Sequence, residues 1–198
     1  MGIEKFKMKN EKLKIVRKSF TLIEVLATIG VIALIIPLVF AIVFTLLRQQ
    51  IKVYHLTTVK REGDYALNII SNLIRDKAFT IHSSLPPSEN NQVCQIVETF
   101  SSPTSLYFQD NNNQWFGFVF DSDSISSSSA ALISSLNSSK TIVDNFSIGC
   151  QKTADYSSAT VSLSFDICFN NGSGSCNTSR PEEAASLYYQ TRIKLRNF

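Results

Sequence analysis

Four cysteines are the side chains with the clearest chemistry in this 198-residue chain. They are Cys94, Cys150, Cys168 and Cys176. No two of them form a CxxC pair, and the only histidines, His55 and His82, lie far from them in the sequence. A zinc site needs clustered thiolate and imidazole ligands, so the spacing favours disulfides and an oxidising compartment. Buried free thiols in a cytosolic domain are the alternative reading.

The other residue types form no catalytic or cofactor-binding pattern in the sequence. There is no glycine-rich phosphate loop, no GxSxG and no HExxH. The acidic run 121–124 lacks the glycine and the terminal glutamate of a calcium-binding loop, which favours a solvated loop. We therefore predict a protein that is not an enzyme and that uses no metal or other cofactor.

One carboxylate, Glu24, is the only ionisable residue of segment 20–47. The 23 residues from Val25 to Leu47 carry no charge and are long enough to cross a bilayer core of about 30 Å as a helix. Residues 1–19 have a net charge of +5, so the positive-inside rule places them in the cytoplasm and the chain from Arg48 outside. A carboxylate well inside a membrane costs about 2.5–3.5 kcal/mol on insertion scales, so Glu24 needs a cationic partner or a shallow position.

The residues around Glu24 form a specific motif. The sequence S-F-T-L-I-E-V-L, residues 19–26, resembles the processing site of type IV prepilins, in which a small residue precedes F-T-L-I-E-V-L and a hydrophobic helix. The resemblance covers about residues 14–47, with a charged leader before the motif and an apolar segment after it. The remainder of the chain is similar to the family only in organisation. The resemblance implies a pilin-like fold and a filament subunit, either a pilin or a pseudopilin.

The resemblance also implies roles for three residues. Ser19 occupies the position before the cut made by prepilin peptidase, where the family nearly always has glycine; slower or absent processing is therefore an alternative. Phe20 becomes the N-methylated N-terminus, and Glu24 pairs with the N-terminal amine of a neighbouring subunit during assembly. Physical chemistry agrees, since the cut creates an α-amino group with a pKa of about 7.7–8, which is largely cationic at neutral pH.

The elements that position these residues begin with one long helix. Apolar residues recur at three- and four-residue steps from Leu56 to Ala78, with charged residues between them, which predicts that a helix continues amphipathically beyond the membrane to about Phe79. Two prolines after Leu85 begin a turn-rich region. The predicted domains are a leader at 1–19, a membrane-spanning half-helix at 20–47, an amphipathic half-helix at 48–82 and an extracytoplasmic head at 83–198.

The sequence of the head predicts an antiparallel β-sheet that packs on the helix, so the predicted fold class is α+β. Strands are expected at 93–100, 105–109, 115–120, 141–150, 160–169 and 187–195. Asp110 to Asn113 predicts a hairpin turn, and the serine-rich segment 121–140 predicts a loop with one short helix near 130–136. Seven aromatic residues are interpreted as core. They are Tyr107, Phe108, Trp115, Phe116, Phe118, Tyr188 and Tyr189.

The expected strand pairing bears on the disulfides. If 141–150 and 160–169 form a hairpin, Cys150 lies near its turn and Cys168 near its open end, so these two do not face each other. The predicted pairs are Cys168–Cys176, closing a short loop, and Cys94–Cys150, across the sheet. Many pilins carry a similar C-terminal cystine loop.

Three cations near the C-terminus, Arg192, Lys194 and Arg196, alternate with Ile193 and Leu195. A solvated or edge strand protected by charge explains this pattern, and contact with DNA phosphates is the alternative. Outside the leader the chain has 12 basic and 14 acidic residues, so its net charge does not favour nucleic acid.

The resemblance implies a minor pilin or pseudopilin that assembles into a filament for adhesion, motility, secretion or DNA uptake. The expected partners are prepilin peptidase, other pilin or pseudopilin subunits, an inner-membrane assembly platform and membrane lipid. The expected location is the cell membrane, crossed once with a cytoplasmic N-terminus, and then a filament at the cell surface. The alternatives are a tip pilin whose head binds DNA or a surface, and a signal-anchored domain that is never cut.

Overall fold

The computed structural model describes residues 21–172, 176 and 185–196. The chain divides into two compact units, Met1–Thr45 and Leu46–Phe198, and helix α1 (Leu22–Lys77) begins in the first and ends in the second. In the first unit every described residue is exposed. The apolar side chains of this part of α1 are therefore not buried by protein among the described residues, although the rings of Phe40 and Phe44 stack with centroids 6.4 Å apart.

The second unit includes the amphipathic part of α1 as well as the predicted head at 83–198, and it is called the head from here on. In this unit α1 is amphipathic as predicted. Val59, Ala66, Ile70 and Ile74 are at most 1% exposed, and their spacing of seven, four and four residues places them on one helix face. The helix ends at Lys77, because the Phe79 N–H donates to the Gln109 carbonyl (2.8 Å) and the chain continues as a strand. The helix therefore ends before the predicted boundary at residue 82.

The described part of the head has nine strands in two antiparallel sheets. The strands are β1 (Thr80–His82), β2 (Glu98–Ser102), β3 (Ser105–Gln109), β4 (Trp115–Asp121), β5 (Ser124–Ser129), β6 (Ile133–Ser135), β7 (Thr141–Lys152), β8 (Thr160–Phe169) and β9 (Ser186–Lys194). Sheet A has the order β1-β3-β4-β5-β6, and sheet B has the order β2-β7-β8-β9. The α+β class is confirmed, but the single predicted sheet is in fact two, which share one core with α1.

Sheet B contains the predicted hairpin. β7 and β8 pair Cys150 with Val161 and Ile142 with Cys168, so the two cysteines lie at opposite ends of the hairpin. The disulfides are Cys94–Cys150 and Cys168–Cys176, which is the predicted pairing.

The short helix predicted in the serine-rich segment is wrong. It forms strands β5 and β6 and no helix, because Asp121 and Ser124 pair across a two-residue turn whose Ser122 has a φ of 57°. Serine hydroxyls compete with helical backbone hydrogen bonds. Ser129 does so here, since its Oγ accepts a hydrogen bond from the Leu132 N–H (3.3 Å).

The predicted strand at 93–100 begins only at Glu98. Cys94 has a φ of 59°, in the left-handed region, and this conformation is incompatible with an extended strand. The segment before β2 is therefore a turn that brings Cys94 to its disulfide partner on β7.

The seven aromatic residues divide between core and surface. Phe108, Phe116 and Phe118 are buried as predicted. Tyr188 is 62% exposed, so its interpretation as core is wrong. Tyr107 and Trp115 are only half-buried, because they project from the face of sheet A opposite to the phenylalanines.

Candidate functional site

The apolar part of α1 is long and hydrophobic enough to cross a membrane. A signal sequence near the N-terminus meets the same criterion. All described side chains from Thr21 to Thr45 are exposed, which fits contact with lipid or with other apolar helices.

Glu24 lies in the first turn of α1, and its carboxylate has a local partner. The Thr21 N–H and the Thr21 hydroxyl both donate to Glu24 Oε2, at 3.3 Å each. The Glu24 N–H donates to Thr21 Oγ1 at 3.4 Å, so the two residues form a capping box. The sequence analysis predicted a cationic partner or a shallow position for Glu24 and did not predict this contact, although the T-x-x-E spacing indicates it.

The cut predicted between Ser19 and Phe20 falls outside the described residues. The described chain starts at Thr21, immediately after the predicted new N-terminus. The capping box therefore joins the Glu24 carboxylate to Thr21, which follows the predicted new N-terminus by one position in the sequence.

The two disulfides join separate parts of the head. Cys94 and Cys150 are at most 1% exposed and join the turn before β2 to β7. Cys168–Cys176 closes a short loop after β8. The described residues contain no group of three or more His, Cys, Asp or Glu side chains that could hold a metal ion.

Glu62 on α1 anchors the loop between β6 and β7. Its carboxylate accepts hydrogen bonds from the Ser138 N–H (3.0 Å), the Ser138 hydroxyl (2.6 Å) and the Thr141 hydroxyl (2.6 Å). Burial raises the pKa of Glu62, but these hydrogen bonds and the charge of Arg61 together lower it by a larger amount. The net pKa of Glu62 therefore lies below its ordinary value. An open cleft of about 370 Å³ lies beside this contact.

Tyr189 on β9 makes a second contact with α1. Its hydroxyl is 3.0 Å from Asp64 Oδ1 and 3.1 Å from the Lys60 carbonyl oxygen. Burial, the hydrogen bond to Asp64 and the negative charge of Asp64 together raise the pKa of Tyr189 to about 12. Its ring stacks on Phe165 with centroids 5.3 Å apart.

The three C-terminal cations lie along the outer strand of sheet B. Arg192 and Lys194 are exposed on β9, and the exposed Arg196 follows the end of that strand. Ile193 and Leu195 between them are 1% exposed, so the predicted alternation is confirmed. Within the described part of the chain, none of the three cations has a hydrogen-bond or ion-pair partner.

Comparison with protein-family models, curated proteins and solved structures finds no match to this chain. The chain's own residues are therefore what indicates its function. The strongest of these are the capped helix start at Thr21 and Glu24 and the exposed apolar surface that follows it.

Proposed function

We propose that this chain is a type IV pilin-like subunit, a minor pilin or pseudopilin, that enters a filament through the first part of α1. The observation that carries the proposal is the continuous exposure of apolar side chains from Val25 onward, directly after the capped Glu24 of a prepilin-like motif. Such a surface needs lipid before assembly, and helices of neighbouring subunits can replace lipid in a filament.

The proposed mechanism begins with insertion of α1 and retention of the basic leader in the cytoplasm. Prepilin peptidase then cuts before Phe20, and the new amine is methylated. Glu24 is held by Thr21 until the amine of a neighbouring subunit replaces that contact. The ion pair recovers the cost of placing a carboxylate in the membrane only when the neighbour is correctly staggered. An inner-membrane assembly platform and other pilin subunits are the required partners.

Intact-mass measurement of the protein extracted from its native membrane tests the cleavage. We expect loss of residues 1–19 and the addition of one methyl group at Phe20. A full-length mass would overturn the cleavage and leave a signal-anchored extracytoplasmic domain. A Ser19→Gly variant is the matched control, because it restores the residue that the family motif has at this position.

A pair of substitutions separates charge pairing from helix capping. Glu24→Ala removes the carboxylate and both of its contacts with Thr21, whereas Thr21→Val removes the two hydroxyl contacts of the cap and keeps the carboxylate and the contact from the backbone N–H of residue 21. We expect both variants to insert into the membrane, and only Thr21→Val to enter filaments, as measured by immunoblotting of sheared filaments. Equal loss of both variants from filaments would show that the cap, rather than the charge, is what assembly requires.

A second candidate function is a tip pilin whose head binds DNA or a surface. The observation that favours it is the row of exposed cations Arg192, Lys194 and Arg196, which lack partners among the described residues. Changing all three to Gln is expected to abolish DNA retention by the full chain if this function holds. A control with Lys52, Arg75 and Lys77 changed to Gln removes the same charge from exposed positions on α1. Equal DNA binding by both variants would exclude the row as a DNA site.

A further inference from the structure

Sheet A has a second face that the core does not use. The register places Tyr107 opposite Gly117, and Gly117 opposite Ser128, so these residues share one face. Trp115, two residues before Gly117, projects to the same side. The buried phenylalanines of β3 and β4 project to the other side, into the core. We call the face that carries Tyr107 and Trp115 the outer face of sheet A.

Tyr107 lies flat across this face. A Cβ added at Gly117 would be 2.3 Å from Tyr107 Cδ1 and 3.0 Å from its Cε1, so the ring covers the glycine directly. The Trp115 ring packs edge-on against it, with centroids 6.3 Å apart and an interplanar angle of 78°. An aromatic ring over a cross-strand glycine also stabilises the sheet itself, so the position of Tyr107 alone does not indicate a ligand.

The surroundings of the two rings indicate what they can bind. The outer face continues across β5 and β6 with hydroxyl groups, and Ile133 at its edge is 71% exposed. The hydroxyl-bearing residues in this register are Thr80, Ser105, Ser124, Ser126, Ser128 and Ser135. Ser128 is buried, and the hydroxyls of Thr80, Ser124 and Ser135 already have side-chain partners, so Ser105 and Ser126 offer the hydroxyls that a ligand can reach. Asp121, at one end of β4, is the only Asp, Glu, Lys or Arg among the described residues of this face. The face therefore combines aromatic rings and hydroxyls with almost no charge.

We propose that the outer face of sheet A binds a neutral polysaccharide. A pyranose ring presents polarised C–H groups on one side, which stack on the electron-rich face of an aromatic ring, and its hydroxyls suit serine partners. A polyanion such as DNA lacks a cation to meet here. An apolar protein segment would cover the hydroxyls of Ser105 and Ser126, which have no hydrogen-bond partner among the described residues, and would leave them unpaired. This inference concerns the head alone and does not depend on processing or on filament assembly.

Trp115 provides a direct test because it is the only tryptophan of the chain. The full chain, held in a detergent without sugar headgroups, is titrated with soluble oligosaccharides derived from cellulose, chitin and starch. We expect a saturable change in the emission of Trp115 with at least one of them. Affinity for that sugar should fall at least about tenfold in Tyr107→Ala. Tyr107→Phe keeps the ring, and Tyr188→Ala removes an exposed tyrosine of sheet B, so both should bind nearly as the parent does.

Tyr107→Ala uncovers Gly117 and can therefore misfold, so a second variant is needed to test the proposal in a folded protein. Trp115→Ala leaves the Tyr107–Gly117 contact in place, and its binding is measured by calorimetry, with circular dichroism to check the fold. We expect loss of sugar binding in a folded protein. The proposal is overturned if none of the three sugars changes the emission of Trp115, or if folded Trp115→Ala binds as tightly as the parent. A response to single-stranded DNA alone would equally overturn it.

Discussion

Glu62 is the acid whose contacts most directly join α1 to the loop after β6. It accepts three hydrogen bonds from residues 138 and 141, more than 70 positions later in the chain. Hydrogen bonds to a charged acceptor are stronger than neutral ones, and these three have that extra strength only while the carboxylate is ionised. The protonation state of one residue therefore affects how firmly the loop is held to the helix.

The lowered pKa of Glu62 predicts a pH dependence of head stability. The unfolded state binds a proton at the ordinary pKa near 4.5, whereas the folded state binds it only at lower pH. The contribution of Glu62 is thus fully present above that ordinary value and is lost as the pH falls through the folded pKa. The melting temperature should therefore fall less steeply on acidification in Glu62→Gln than in the parent.

Thermal unfolding of the head between about pH 3 and pH 7 measures this difference. Glu62→Gln keeps the shape of the side chain and part of its hydrogen-bonding capacity. At neutral pH it should be the less stable of the two proteins. Parallel pH profiles for the parent and the variant would show that Glu62 does not set the acid sensitivity.

At the scale of the element, α1 contains two glycines, one packed closely against a side chain and one with open space around it. Gly63 lies under the ring of Tyr189, and a Cβ there would be 2.3 Å from Tyr189 Cε2. Gly30 has nothing within 4 Å of an added Cβ. Glycine is normally unfavourable inside a helix, so the close approach of β9 gives a physical reason for Gly63.

The two glycines make a matched pair of substitutions. Gly63→Ala should destabilise the head by about 1–3 kcal/mol, because the Tyr189 ring must move and its contacts with Asp64 and Phe165 are disturbed. Gly30→Ala should leave the head unchanged, and alanine should favour the helix by roughly 0.5–1 kcal/mol. Urea unfolding followed by tyrosine fluorescence or circular dichroism measures both. If Gly63→Ala leaves the free energy of unfolding of the head unchanged, the close contact between Gly63 and Tyr189 is contradicted.

The elements differ in how far sequence predicts them. The apolar run, the amphipathic spacing around Val59 and Ile70, and the alternation in β8 are local patterns, so α1 and the β7–β8 hairpin could be read directly. The sequence did not predict β5, because serine occupies nearly all of its positions. Residues on the two faces of the strand therefore do not differ in polarity. The division into two sheets and the contact between Tyr107 and Gly117 depend on which strands pair, and a single sequence does not carry that information. The Thr21–Glu24 capping box could have been predicted from its spacing.

At the scale of the whole molecule, the stability of the head depends on whether its compartment allows the two disulfides to form. Cys94–Cys150 closes a loop of 56 positions and Cys168–Cys176 one of 8. Loop-closure entropy at 25 °C then gives about 4 kcal/mol for the first and about 2.5 kcal/mol for the second. The longer loop should therefore matter more to the free energy of unfolding, and both bonds need an oxidising environment.

Paired alanine substitutions test this ranking and the orientation of the head together. Cys94→Ala with Cys150→Ala should lower the urea midpoint more than Cys168→Ala with Cys176→Ala, because the first pair constrains more of the unfolded chain and is itself buried. A larger effect of the second pair would contradict the loop-closure argument. In intact cells the parent should react with a thiol reagent only after reduction, since a head outside the cytoplasm has no free thiols. Labelling without reduction would place the head in a reducing compartment, and the proposed membrane orientation would then be wrong.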